Sequence, residues 1–293
     1  MSIHQVNDRG YYIEDVGTGE PIVLLHGFTG SSANWHITNV IESLSSTYRV
    51  LAIDLIGHGR SDSPTHVGPY SMPSLAADLG MLLEQRNALP AHWLGYSMGG
   101  RLALYIAVNY PQWVRSLILE SASPGLQGTT EKAARRQQDE ALANQIEVEG
   151  IESFAARWEK LPLFASQEQL PAKTRSALRT IRLSNSTQGL ANSLRGMGTG
   201  AQPSLWEQLS GINISTLLIA GELDQKFVAI NQRMAAVLPN TTLHIIAGSG
   251  HTVHLERADQ YIELTLNFLK KQSAGSGDNL TQAEQSNKGQ RGQ

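Results

Sequence analysis

The sequence predicts an α/β fold, a mostly parallel sheet flanked by helices and carrying a helical lid insertion. Three observations carry that expectation. Short apolar runs rich in β-branched residues alternate with amphipathic segments along most of the 293 residues. From about residue 125 to 205 the alternation breaks, with no clear strand. After that stretch the strand and helix rhythm resumes. The length suits one large α/β domain, or that domain with a small insertion.

In chain order, YYIEDVG (11–17) reads as an antiparallel edge hairpin with the segment after it. PIVLLHG (21–27), YRVLAID (48–54), AHWLGYS (91–97), VRSLILE (114–120), STLLIAG (215–221) and TTLHIIAG (241–248) read as buried strands. SLAADLGMLLEQRN (74–87), GGRLALYIAVNY (99–110), VAINQRMAAVL (228–238) and ADQYIELTLNFLKK (258–271) place apolar residues at helical spacing. The expected organisation is a core domain over 1–124 and 206–271, with 125–205 as a helical lid between two of its strands. Residues 272–293 are rich in Gly, Ser, Gln and Asn and nearly free of apolar side chains. They bury too little to offset ordering entropy, so a disordered tail is expected there.

Composition narrows the function. A net charge of -3 gives no reason to expect nucleic acid or an anionic membrane as partner. With no cysteine, disulfides, thiol nucleophiles and thiolate metal sites are excluded, as suits a reducing compartment. MSIHQVNDRG is polar and has no apolar signal core, and runs such as PIVLL are too short to cross a bilayer. A cytoplasmic protein without a membrane anchor is expected, as a monomer, with an oligomer left open.

The chemistry centres on Gly95-Tyr96-Ser97-Met98-Gly99, which matches G-x-S-x-G. It follows an apolar run and opens a helical one, the strand-turn-helix setting in which a serine is held on a sharp turn. Side chains at the flanking glycines would clash there. A serine hydroxyl reacts only if a histidine can take its proton and a carboxylate orients that histidine. Asp224, in LLIAGELD, and His251, in IIAGSGH, both follow strands and come in the order Ser, Asp, His. Asp54, Glu222 and His254 are the rivals. Backbone N–H groups of Met98 and Phe28, the latter in HGFTGSS, are the expected oxyanion hole. His26 is expected to brace that loop, and His58 has no obvious partner.

In order, HGF, GxSxG, GELD and GSGH resemble the α/β-hydrolase superfamily over about residues 10–271. A narrower resemblance lies in GYSMGGRLALYIA, LILESASPGL, the lid run ARRQQDEALANQI…F…RWEKLPLF with LSNSTQGLANSLRGMGTGAQPSLW, and GELDQKF. These are similar to the 2-succinyl-6-hydroxy-2,4-cyclohexadiene-1-carboxylate synthase family of menaquinone and phylloquinone biosynthesis. The resemblance implies a lyase that removes a proton from a small-molecule polycarboxylate and eliminates pyruvate. It implies no metal and no organic cofactor. It carries substrate-binding roles onto Tyr96, Arg101, Arg135, Trp158, Arg182 and Lys226, with Arg136 the alternative to Arg135. The chain has Glu131-Lys132 where family members often have Glu-Arg.

The arginines among those residues suit a multiply anionic substrate. Arginine keeps its charge and binds a carboxylate through two hydrogen bonds. The insertion holds seven of sixteen arginines (Arg135, Arg136, Arg157, Arg175, Arg179, Arg182 and Arg195), although a solvated helical surface explains that excess equally well. Arg101 follows Ser97 by four residues, so both share a helix face, and the arginine leans toward the serine. An arginine pairing with a nearby acid is the competing reading, as a core tryptophan is for Trp158. Two reactions stay open: proton abstraction with pyruvate elimination, or hydrolysis of esters, thioesters or C–C bonds in an acidic substrate.

Overall fold

The computed structural model describes the backbone of residues 2–289 and the side-chain surroundings of residues 2–273. Eight strands form one sheet: β1 (Ser2–Val6), β2 (Arg9–Val16), β3 (Pro21–Leu25), β4 (Arg49–Ile53), β5 (Ala91–Tyr96), β6 (Val114–Glu120), β7 (Thr216–Gly221) and β8 (Thr241–Ile246). Their order is β1-β2-β4-β3-β5-β6-β7-β8, antiparallel at β1-β2 and β2-β4 and parallel from there on. The predicted fold class is the observed one.

The edge hairpin differs from expectation in its partner. β2 forms it with β1, the strand before it in the chain, and not with a later segment. Asn7 and Asp8 join the two strands with φ of 49° and 60°. Two consecutive left-handed residues match the right-handed twist of a tight hairpin, a geometry that Asn and Asp tolerate.

Period-two alternation builds the layers. Val23, Leu25, Leu51, Ile53, Trp93, Leu117 and Leu119 face a cluster with α2 (Met72–Glu84) and α3 (Met98–Asn109). Ile22, Leu24, Val50, Ala52, Leu94 and Ile118 face the other side, against α1 (Val40–Ser45) and Tyr261, Phe268 and Leu269 of the last helix. Burial on both faces is why the parallel strands read as continuous apolar runs.

Between β6 and β7 the described residues contain helices and no strand: α4 (Thr129–Trp158), α5 (Ala172–Leu183) and α6 (Thr187–Met197), with short 3-10 turns at Pro162–Gln169 and Trp206–Gly211. α4 is bent at Gly150, whose φ of 79° is non-helical. Ala143, Ile146, Phe154, Leu190, Ala191 and Leu194 form its own small core, against which Phe28 and Trp158 pack. After β7 come α7 (Gln225–Ala235), then β8, α8 (Val253–Glu256) and α9 (Ala258–Gly289). The backbone of α9 runs on as helix over 272–289, where composition predicts a disordered tail. Extending a formed helix needs only local hydrogen bonds, whereas the composition argument concerned burial. Residues 290–293 and the side chains from 274 on lie outside the described residues.

Candidate active site

The ends of β5, β7 and β8 bring three distant residues together. Ser97 sits between β5 and α3 with φ 49° and ψ -105°, a conformation that costs a non-glycine residue strain. It holds because its neighbours allow close approach. A Cβ on Gly95 would meet Gly100 Cα at 2.5 Å, and one on Gly99 would meet the Leu25 carbonyl oxygen at 2.3 Å. The Ser97 N–H is anchored on the Glu120 carbonyl at 2.8 Å.

His251 Nδ1 lies 2.6 Å from Asp224 Oδ2, and its Nε2 lies 3.0 Å from Ser97 Oγ. A carboxylate only accepts, so Nδ1–H donates to Asp224 and, in the neutral ring, Nε2 accepts from the Ser97 hydroxyl. His251 and Asp224 are both buried.

The rivals have other work. Asp54 accepts the Ser32 N–H at 2.6 Å and the Arg60 N–H at 2.9 Å. Glu222 accepts the Gly248 N–H at 2.9 Å. His254 turns to Glu120, with Nδ1 2.8 Å from Oε2. His26 Nε2 accepts the Leu55 N–H at 3.0 Å, so its Nδ1–H donates to the Gly27 carbonyl at 2.8 Å. His26 therefore ties the loop after β3 to the one after β4. His58 is buried with no partner on Nε2, and burial first, then His26, pushes its pKa well down.

A cavity of about 400 Å³ opens on Ser97 and is lined by Phe28, Met98, Arg101, Arg135, Trp158, Lys226 and His251, among others. Met98 opens α3, so its N–H has no partner within the helix. Phe28 occupies a turn closed by Gly30 N–H on the Gly27 carbonyl at 3.0 Å. From the insertion, the Asn185 amide donates to the Thr29 carbonyl at 2.9 Å and accepts from Gly59 N–H at 3.0 Å, clasping this loop.

The six carried-over residues separate in space. Arg101 donates to the Met197 carbonyl at 2.9 Å and to Gln202 Oε1 at 3.2 Å, both neutral. No carboxylate lies within ion-pair distance of it among the described residues, so the competing reading of an acid partner does not describe it. Burial, then the charge of Arg135, pushes its guanidinium down to about 10. Arg135 reaches the cavity while donating to Asp139 at 2.7 Å; Arg136 faces away from it. Lys226 stands exposed at the rim. Trp158 lines the cavity and also packs on Phe28 at 5.3 Å between ring centres, with its Nε1 unpartnered. It packs beneath the helical insertion, as the core-tryptophan reading expects, and still faces the cavity.

Arg182 lies elsewhere. It lines a separate cavity of about 30 Å³, shared with Tyr96, Phe28, Trp158 and Phe164, and donates to Gln167 at 2.9 Å. Tyr96 borders both cavities, and burial followed by Glu120 pushes its hydroxyl pKa well up. Most other insertion arginines are used locally: Arg157 pairs with Glu149, Arg179 with Glu159, and Arg195 with Glu140 and Glu147. Sequence reasoning missed Arg233 and Ser121, which also line the Ser97 cavity, and Asn185. The left-handed φ of Ser121, 48°, has no sequence signal in a serine.

Residues 20–258 match the family of the α/β hydrolase fold. The chain is 42% identical over 261 residues to a provisionally named 2-succinyl-6-hydroxy-2,4-cyclohexadiene-1-carboxylate synthase of Bacillus subtilis (strain 168), covering 88% of this chain and 94% of that one. It is 33% identical over 249 residues to the 2-succinyl-6-hydroxy-2,4-cyclohexadiene-1-carboxylate synthase of Salmonella agona (strain SL483), covering 85% and 93%. The solved structure of MenH from S. aureus superposes with a TM-score of 0.85 at 39% identity, covering 90% of this chain and 98% of that one.

Proposed function

Because the chain belongs to the α/β hydrolase fold family, and within it to the 2-succinyl-6-hydroxy-2,4-cyclohexadiene-1-carboxylate synthases, we propose that it eliminates pyruvate from 2-succinyl-5-enolpyruvyl-6-hydroxy-3-cyclohexene-1-carboxylate in menaquinone or phylloquinone biosynthesis. The observation that carries the reading is Arg101, a half-buried cation with only neutral acceptors, in the same cavity as Ser97 and His251 of the Ser97–His251–Asp224 triad.

His251 Nε2 takes the Ser97 proton, and Asp224 holds the imidazolium that forms. Ser97 Oγ then takes the proton from the ring carbon beside the succinyl ketone. The electron pair left behind gives an enolate, held by the N–H groups of Phe28 and Met98. Its collapse makes the second ring double bond and breaks the bond from the ring to the enolpyruvyl oxygen. The leaving pyruvate enolate takes the His251 proton, which restores the starting site. Arg101 and Arg135 hold substrate carboxylates inside the cavity, and Lys226 holds one at the rim. Tyr96 and Trp158 shape the ring site. Arg182 acts from the adjoining cavity, through Tyr96 and Trp158. Positioned proton transfer supplies about 10²–10⁴-fold, and orientation and enolate stabilisation supply more.

The helices over 125–205 act as the lid, and no resident metal or cofactor takes part. The chain works as a cytoplasmic monomer on a small-molecule substrate. No helix among the described residues is long and apolar enough to cross a membrane.

The test supplies the enolpyruvyl intermediate and follows pyruvate release, with activated esters and aryl-CoA thioesters offered in parallel. Pyruvate release well above ester turnover is expected. Faster ester cleavage with no pyruvate would make the chain a hydrolase.

A further inference from the structure

Glu120 ends β6, beside the strand that leads to Ser97, and is fully buried. Its main chain and side chain hold two different parts of the site. The carbonyl accepts the Ser97 N–H at 2.8 Å. The carboxylate accepts the His254 N–H at 3.1 Å, and His254 Nδ1–H donates to it, with oxygens at 2.8 and 2.9 Å. His254 follows His251 by three residues and is itself buried. One residue thus joins the serine turn to the segment that carries the catalytic histidine.

The surroundings leave the joint little freedom. The His254 ring packs on Trp35 and Tyr96, each 4.8 Å away between centres, and Tyr96 lies 5.5 Å from His251. On the far side of the same segment, Glu256 accepts the Gly250 N–H at 2.7 Å and the Thr252 hydroxyl at 3.0 Å, but these are contacts within the segment. Glu120 is the acid that ties it to the strand end next to Ser97.

A buried imidazole–carboxylate contact is a weak source of stability, because the cost of desolvating its polar groups offsets most of their attraction. What convergent charged hydrogen bonds supply is one defined geometry. The distance that needs defining is the 3.0 Å between Ser97 Oγ and His251 Nε2, since a displacement of about 1 Å can cost about 100-fold in rate. We propose that Glu120 and His254 are positioning residues, a second buried His–carboxylate pair that sets the separation of Ser97 from His251. This goes beyond the choice of reaction, because any chemistry by the triad needs that separation.

The test replaces the pair by apolar residues of comparable size, Glu120→Met with His254→Leu, so that no charge is left buried alone. The double variant should melt near the parent, yet its kcat for pyruvate release should fall about 10–100-fold with KM little changed. The low-field proton resonance of His251 Nδ1–H should move or broaden. That resonance needs no substrate, so it tests the positioning even if the parent itself released no pyruvate. A folded double variant with parental kcat, or with the parental resonance where the parent released no pyruvate, overturns the proposal. A second comparison stands whether or not the double variant folds. His254→Asn keeps an N–H donor for Glu120 and should recover most of the kcat that His254→Ala loses; equal kcat in the two would also overturn it.

Discussion

The Arg101 guanidinium donates to the Met197 carbonyl at 2.9 Å, so the helix that starts beside Ser97 holds the helical insertion over the cavity. The bond is to a neutral oxygen, and no carboxylate pairs directly with this cation among the described residues. Arg101→Ala should lower kcat/KM for pyruvate release by about 10²–10³-fold, the scale for losing one partner of a buried charge pair. Cleavage of a small neutral ester should be nearly unchanged. Equal loss of both activities would mean that Arg101 only supports the fold.

The same burial makes a stability prediction. Burial pushes the Arg101 pKa down to about 10, below its ordinary value. A base with a lowered folded pKa binds fewer protons when folded, so it opposes folding below about pH 10, and that cost fades as pH rises toward the unfolded value. At neutral pH Arg101→Met should therefore raise the melting temperature while it removes activity. A lower melting temperature in a thermal scan would contradict this.

Ser97→Ala and His251→Ala should each lower kcat by about 10²–10⁴-fold, the range for a positioned base. KM should change little. Combining them should add almost nothing, because the two act as one unit. Asp224→Asn should fall in the same range, whereas Glu222→Gln, which only weakens an acceptor for Gly248 N–H, should keep nearly full kcat. Steady-state kinetics on the four variants and the double decide between the two carboxylates.

Gly99→Ala places a Cβ 2.3 Å from the Leu25 oxygen and 2.6 Å from the His26 oxygen, both main-chain atoms. Backbone cannot step aside cheaply, so a loss of about 3 kcal/mol or more is expected in a denaturant titration. A near-parental midpoint would show that the turn has slack.

His58 and His26 are both held neutral by burial, with pKa values below 6.5. The unfolded chain takes up those protons first, so stability falls as pH drops below about 6.5, by at most about 1.4 kcal/mol per pH unit for each histidine. His58→Phe also removes the unpartnered Nε2 and should flatten that decline. Melting curves between pH 7 and 5 with parental slope would assign the acid sensitivity elsewhere.

Much of the fold is legible in the sequence because its signals are local. The apolar run at 114–120 coincides with β6 to the residue, and the serine turn is marked by its two glycines. The β1–β2 hairpin escapes sequence reading because its turn is Asn-Asp and its first strand is largely exposed, so the alternation is faint. Arg135 and Arg136 are chemically identical neighbours, and only the direction each takes from α4 distinguishes them. Arg182 has the right chemistry, but Trp158 and Phe164 border the separate cavity that it lines.

The sequence by itself determined the parallel α/β layers, the strained serine turn and the chain order Ser97, Asp224, His251. Periodicity and turn chemistry are written in neighbouring residues. The tertiary structure alone decided which histidine meets which acid. His251 and His254 are three residues apart; the place of His251 after a strand favours it for the triad, and the fold turns His251 to Asp224 and His254 to Glu120. Those pairings bridge 27 and 134 positions, and the serine contact bridges 154. Such distances close only when strand ends pack side by side, which is a property of the assembled sheet and of no segment within it.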